Sequence, residues 1–168
     1  MSIRLWYPQL DIYDCIRRMG MLLRSWPDNP PSLERLYITD FFLANPPLLH
    51  DTSMTQDIRK VFSGLEIPKP AKAFISYPSS QLLFHKMEPI QKHALQTIVG
   101  KGLIDDVKLK NGLVEKTVLG EKAFNQLDEF SKNSQEKAIV TFLNTHYAHM
   151  SLNDLTEFRR KTGLRRAT

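Results

Sequence analysis

Residues 33–43 are apolar nearly all the way round a helix. Leu33, Leu36, Tyr37, Ile38, Phe41, Phe42 and Leu43 leave no broad polar face. Such a helix is either the centre of a core or buried against a partner. Ser32 supplies an N-cap, and Asn45-Pro46-Pro47 stops the helix after Ala44, because proline removes a backbone donor. The rest of the chain has to cover this segment.

The covering elements are readable from periodicity and punctuation. A first helix is expected over residues 10–26, capped by Asp11, with Ile12, Ile16, Met19 and Leu23 on one stripe. The prolines from Pro27 to Pro31 end it. Asp51-Thr52-Ser53 offers a cap for a helix over 54–62 that ends at Gly64, and an extended connector is expected over 72–77. Ser79 and Ser80 cap a short helix to residue 87. Pro89 suits the first turn of a new one over 89–99, stopped by Gly100 and Gly102. Residues 103–109 and 113–118 flank Asn111-Gly112, a strong signal for a two-residue hairpin turn. That register sets Leu109 opposite Val114 and Lys108 opposite Glu115. Helices over 121–131, 135–149 and 151–160 complete the chain. The expected fold is mainly α with a small β-hairpin wing, a winged helix-turn-helix core with extra N- and C-terminal helices. Residues 1–150 form that domain, and residues 151–168 a short helix and basic tail.

The order of elements invites a DNA-reading function, and the charges argue against it. The net charge of +5 over 168 residues is concentrated in the middle and the tail. No arginine occurs between Arg59 and Arg159, although arginine is the main reader of guanine. The wing balances Lys108, Lys110 and Lys116 against Asp105, Asp106 and Glu115, so it gains little from counterion release. The recognition position would expose Gln91, Lys92, His93, Gln96 and Lys101. A protein-binding scaffold is the better reading, with a winged-helix DNA-binding transcription regulator as the alternative. Phosphate contacts, where made, fall to Lys92, Lys101 and the tail residues Arg159, Arg160, Lys161, Arg165 and Arg166. The same tail also reads as a solvated, frayed terminus.

Catalytic and nucleotide-binding motifs are absent from the sequence, so no enzyme activity and no cofactor are expected. Cys15, the single cysteine, falls among apolar helix positions and reads as a core thiol in a reducing cytoplasm. His146 and His149 share a helix face but lack a third metal ligand. His50-Asp51 has no nucleophile beside it. Asp40 is the oddest carboxylate, expected to be buried as an internal cap. No apolar run is long enough to span a bilayer, and Met1 to Tyr13 lacks the apolar stretch of a secretory leader. Phe41, Phe42, Leu43, Leu48 and Leu49 look too large and apolar to be buried together in a core of this size. Phe41, Phe42, Pro47, Leu48 and Leu49 are therefore expected to form a partner interface.

Three stretches carry a family likeness. They are Asp11-Ile12-Tyr13-Asp14; the run from Glu34-Arg35-Leu36 through Thr39-Asp40-Phe41-Phe42 to Asn45-Pro46; and Phe84-His85-Lys86-Met87-Glu88-Pro89-Ile90-Gln91 with Lys101-Gly102-Leu103-Ile104-Asp105. Over roughly residues 10–120 the chain resembles the middle-component proteins of bacterial ABC three-component systems. These are small winged-helix-like subunits encoded beside an SMC/Rad50-like ATPase and a toxic effector, as in Lamassu-type defence. The resemblance implies a non-catalytic accessory subunit joining the ATPase to a nuclease-like effector. DNA, ATP and magnesium would be handled by the partners.

Overall fold

The computed structural model describes residues 7–27, 29–72, 77–127, 133–147 and 155–166. Eight α-helices run through them. They are α1 (Ile12–Arg24), α2 (Leu33–Ala44), α3 (Gln56–Ser63), α4 (Ser80–Gly100), α5 (Asp106–Lys110), α6 (Val118–Asn125), α7 (Ser134–Phe142) and α8 (Leu155–Thr162). A 3-10 turn over Pro46–Asp51 follows α2, and the backbone widens to a π-helical turn over Leu143–Tyr147 after α7. Among these residues no helix is long and apolar enough to cross a membrane.

The caps explain where the helices begin. Asp11 accepts the Asp14 N–H, Ser32 that of Arg35, Thr55 that of Ile58 and Ser79 that of Leu82. As expected, α2 is central: it packs on α1, α4 and α7, and its residues from Arg35 to Leu43 are all buried. Cys15, Met19, Leu22 and Leu23 of α1 and Phe84, Met87, Ala94 and Ile98 of α4 share the core with it, and α1 and α4 also pack on each other. Phe41 meets Phe42 and Phe84 edge-on, with ring centres 5.1 and 5.5 Å apart. Phe158 of α8 and Leu164 beyond it belong to the same core.

Two expectations about backbone are corrected. The first concerns Pro89, which lies inside the single helix α4 and does not begin a new one. His85, Lys86 and Pro89 itself face solvent, so water can satisfy the backbone carbonyl that proline leaves without a donor.

The second correction removes the β-hairpin wing. Among the described residues no strand forms, and only two isolated antiparallel bridges occur, Ser32 with Leu113 and Ile104 with Lys116. Residues 106–110 are helical because Asp105 caps the Lys108 N–H at 3.0 Å. Asn111 has φ −93°, so the type I′ turn, which needs positive φ at both positions, is not made. Gly112 at φ +80° instead ends α5. Its N–H reaches Leu109 O, and the Leu113 N–H reaches Lys108 O, the paired bonds of a Schellman end. Lys108 and Glu115 still form an ion pair, across this turn and not along a ladder.

Candidate functional site

The most elaborate polar construction in the molecule is buried. Asp40, in the middle of α2, is fully enclosed. Its Oδ1 accepts from Arg18 Nε at 2.8 Å, and its Oδ2 accepts from Gln91 Nε2 at 2.9 Å and from the Cys15 thiol at 3.5 Å. Arg18 extends the chain to Asp14 at 2.9 Å and to the Pro8 carbonyl at 3.3 Å. Arg17 then joins Asp14 to Glu136 of α7. On the other side, Gln91 donates to Tyr37 O at 2.8 Å, and its carbonyl oxygen accepts from Arg166. The Arg166 N–H reaches Glu34, which also holds the Arg159 guanidinium. One chain of contacts thus ties α7, α1, α2, α4, the tail and α8.

Burial sets the electrostatics of this chain. Burial alone would lower Arg18, but the Asp40 carboxylate outweighs it and raises the guanidinium above its usual range. Burial, followed by the negative charge of Asp40, pushes the Cys15 thiol well up, so the thiolate is suppressed. Burial also pushes the Tyr37 hydroxyl up to about 12, partly opposed by Arg166. Groups tuned this way hold helices together and are poorly placed as nucleophiles or general bases. Asp40 therefore ties the interior of α2 to α1 and α4; it does not cap the helix end.

The five expected interface residues are placed inside. Phe41, Phe42 and Leu49 are fully buried, Pro47 is buried and Leu48 is 3% exposed. The expectation that they form an apolar surface is corrected. The 3-10 turn folds Pro47, Leu48 and Leu49 back over α2 and supplies the room that a straight helix could not.

The expected phosphate contacts divide. Lys92, Lys101, Arg160 and Arg165 are exposed, although Lys92 pairs with Glu88 and Arg160 with Glu157. Arg159 is committed to Glu34, Lys161 to Glu157, and Arg166 is buried. The tail is therefore docked on the core, not frayed. Gln91 is also buried, on the Phe84, Met87, Ala94, Ile98 face, and not on a solvent face.

Of the other candidates, Cys15 is a core thiol as expected. His50 Nε2 contacts Ile67 O at 2.7 Å, and its ring packs edge-on to Phe62. His146 stacks loosely on Phe142, while His149 lies outside the described residues. Among the described residues no three His, Cys, Asp or Glu side chains gather as metal ligands.

Sequence reasoning missed Arg18 and misplaced Gln91 and Arg166, which it read as a solvent-facing residue and a phosphate contact. A signal existed for the first two. Arg18 sits three residues from Cys15 and four from Leu22, on the apolar stripe of α1. Gln91 likewise lies four residues from Met87 and three from Ala94. A polar residue on a buried stripe requires a partner, and Asp40 was the available one.

Comparison with known protein families gives a match over nearly the whole chain. Residues 4–167 match the family described as ABC-three component (ABC-3C) system Middle Component 5. The match includes the C-terminal region that the sequence motifs did not reach. No curated protein and no solved structure matches the chain.

Proposed function

Because this chain belongs to the Middle Component 5 family of ABC three-component systems, we propose that it is a non-catalytic accessory subunit. It joins an SMC/Rad50-like ATPase to an effector in bacterial anti-phage or anti-plasmid defence. The observation that carries this reading is the extent of the family match, residues 4–167. The commitment of the buried ionisable groups to inter-helix ties supports a structural, partner-binding role. Nucleotide hydrolysis and effector chemistry are assigned to the partners, and the chain works in the cytoplasm. Its own DNA contacts are minor and fall to Lys92, Lys101, Arg160 and Arg165.

The partner surface moves from the 41–49 segment to the region that replaces the wing. Nine large apolar side chains are exposed among the described residues, and four of them, Val107, Leu113, Val118 and Leu119, fall between residues 107 and 119. Contiguous exposed apolar groups mark interfaces, and these four, close together in sequence, are the candidate for one. Co-expression with the other two components of the system and size-exclusion chromatography test the reading. A single three-component complex is expected. Val118→Asp with Leu119→Asp should release this subunit while its circular dichroism stays helical. Elution of the wild-type chain alone, with both partners folded and present, would rule out the accessory role. Tight, competitor-resistant binding to one palindromic DNA would point to the regulator.

A further inference from the structure

The C-terminal residues 163–166 occupy a groove between α2 and α4 whose chemistry is that of an arginine receptor. The Arg166 guanidinium lies 3.9 Å from the centre of the Phe84 ring and 4.9 Å from that of Tyr37. It donates to Phe84 O at 2.7 Å and to Gln91 Oε1, and Glu88 stands 4.0 Å from its Nε. The backbone is recognised as well. Gln81 donates to Arg165 O at 3.2 Å and accepts the Arg165 N–H at 3.4 Å, while Glu34 accepts the Arg166 N–H at 3.0 Å. Two aromatic faces, two neutral acceptors and the Glu88 carboxylate select a flat, forked cation. A lysine ammonium would forfeit both the stacking and the fork.

We propose that this groove is an exchangeable binding site for an extended, arginine-bearing peptide segment. The chain's own tail fills it in cis, and such a segment of a partner protein displaces that tail. Two features favour exchange over a permanent lock. Open grooves of about 410 Å³ and 200 Å³ flank Arg166, the first lined by Leu33, Tyr37 and Leu155 and the second by Gln81, His85 and Glu88, so an incoming segment has access from both sides. The guanidinium is desolvated against neutral acceptors, with the Glu88 carboxylate at the outer limit of an ion pair, so its own binding is modest and the tether holds it.

The test uses a fluorescein-labelled synthetic peptide of residues 159–168 and the full-length chain. Arg166→Ala empties the guanidinium pocket and loosens the tail, and should bind the peptide saturably. The wild type should bind it roughly tenfold more weakly or worse, because a tethered competitor acts at an effective concentration near millimolar. A peptide with lysine at the Arg166 position should not bind. Circular dichroism checks that Arg166→Ala is folded. Arg166→Lys, which keeps a cation but lacks the fork, serves as the second recipient and should also bind the arginine peptide. Failure of both folded variants to bind overturns the proposal, as does equal affinity for wild type and Arg166→Ala, or equal affinity for the lysine peptide.

Discussion

Asp40 and Arg18 show what a buried ion pair does in a core this apolar. Each has given up water, and their attraction is supported by further bonds to Gln91, Asp14 and Pro8 O. Removing one partner strands the other. Asp40→Asn should therefore cost about 3–5 kcal/mol in urea unfolding, whereas Asp40→Leu combined with Arg18→Met should cost much less than the sum of the single changes. Additivity of the two single changes would mean that the pair is not coupled. Cys15 and Tyr37 add a pH dependence with a definite sign. Both are acids whose neutral form the fold prefers, since burial raises Cys15 above its ordinary value of 9.0 and Tyr37 from 10.0 to about 12. In the unfolded chain they lose protons first. Each contribution is complete below the group's ordinary value, 9.0 for Cys15 and 10.0 for Tyr37, and is lost as pH rises through the raised one, about 12 for Tyr37 and higher still for Cys15, with a slope approaching about 1.4 kcal/mol per pH unit for each group. Urea midpoints measured from pH 8 to 11 should fall, less steeply throughout the range above pH 9 for Cys15→Ala and less steeply above pH 10 for Tyr37→Phe. Unchanged slopes in both variants would show that neither group is held neutral.

Helix α4 and the turn after α5 mark where local sequence signals lose to their surroundings. Glu88-Pro89 reads as a helix boundary, yet the apolar face Phe84, Met87, Ala94, Ile98 is continuous across it and packs on α1 and α2. Packing along twenty-one residues outweighs one missing hydrogen bond at the solvent side. Because water replaces the lost helix bond only in part, Pro89→Ala should stabilise the protein by about 1–3 kcal/mol. A fall in thermal midpoint would mean that the proline itself is needed for docking. The Asn111-Gly112 dipeptide failed as a hairpin signal for a related reason. Glycine at positive φ serves a helix end as well as a hairpin turn, and the cap from Asp105 decides between them. The all-round apolar α2, by contrast, was legible because no surface position suits it. What stayed hidden there was the 3-10 turn that lets Leu48 and Leu49 pack inward. Gly120 exposes the same limit. A Cβ there would stand 2.0 Å from the Leu103 carbonyl oxygen, a backbone approach that no sequence pattern announces.

At the scale of the whole molecule, the tail decides whether the chain is a core with a basic appendage or one connected body. Composition favoured the appendage, because five basic residues in the last eighteen resemble a solvated terminus. Their fates depend on distant partners, Glu34 for Arg159 and Gln91 with Phe84 for Arg166, and separations of this length are invisible to periodicity. Leu164, 1% exposed, adds an apolar anchor between the two. Deleting residues 163–168 should therefore unfold the protein more easily and not merely remove charge. Losing the buried leucine costs about 1.5–3 kcal/mol, and leaving the Gln91 and Phe84 oxygens without a donor adds about 1–3 kcal/mol. At roughly 2–4 °C per kcal/mol for a chain of this size, the midpoint should drop by about 10 °C. Arg160→Ala and Arg165→Ala, which remove exposed side chains, should shift it by no more than about 0.5 kcal/mol. Differential scanning calorimetry of the three variants separates the cases. If the deletion melts with the wild type, residues 163–168 are not part of the fold, and Arg165 and Arg166 are free for phosphate.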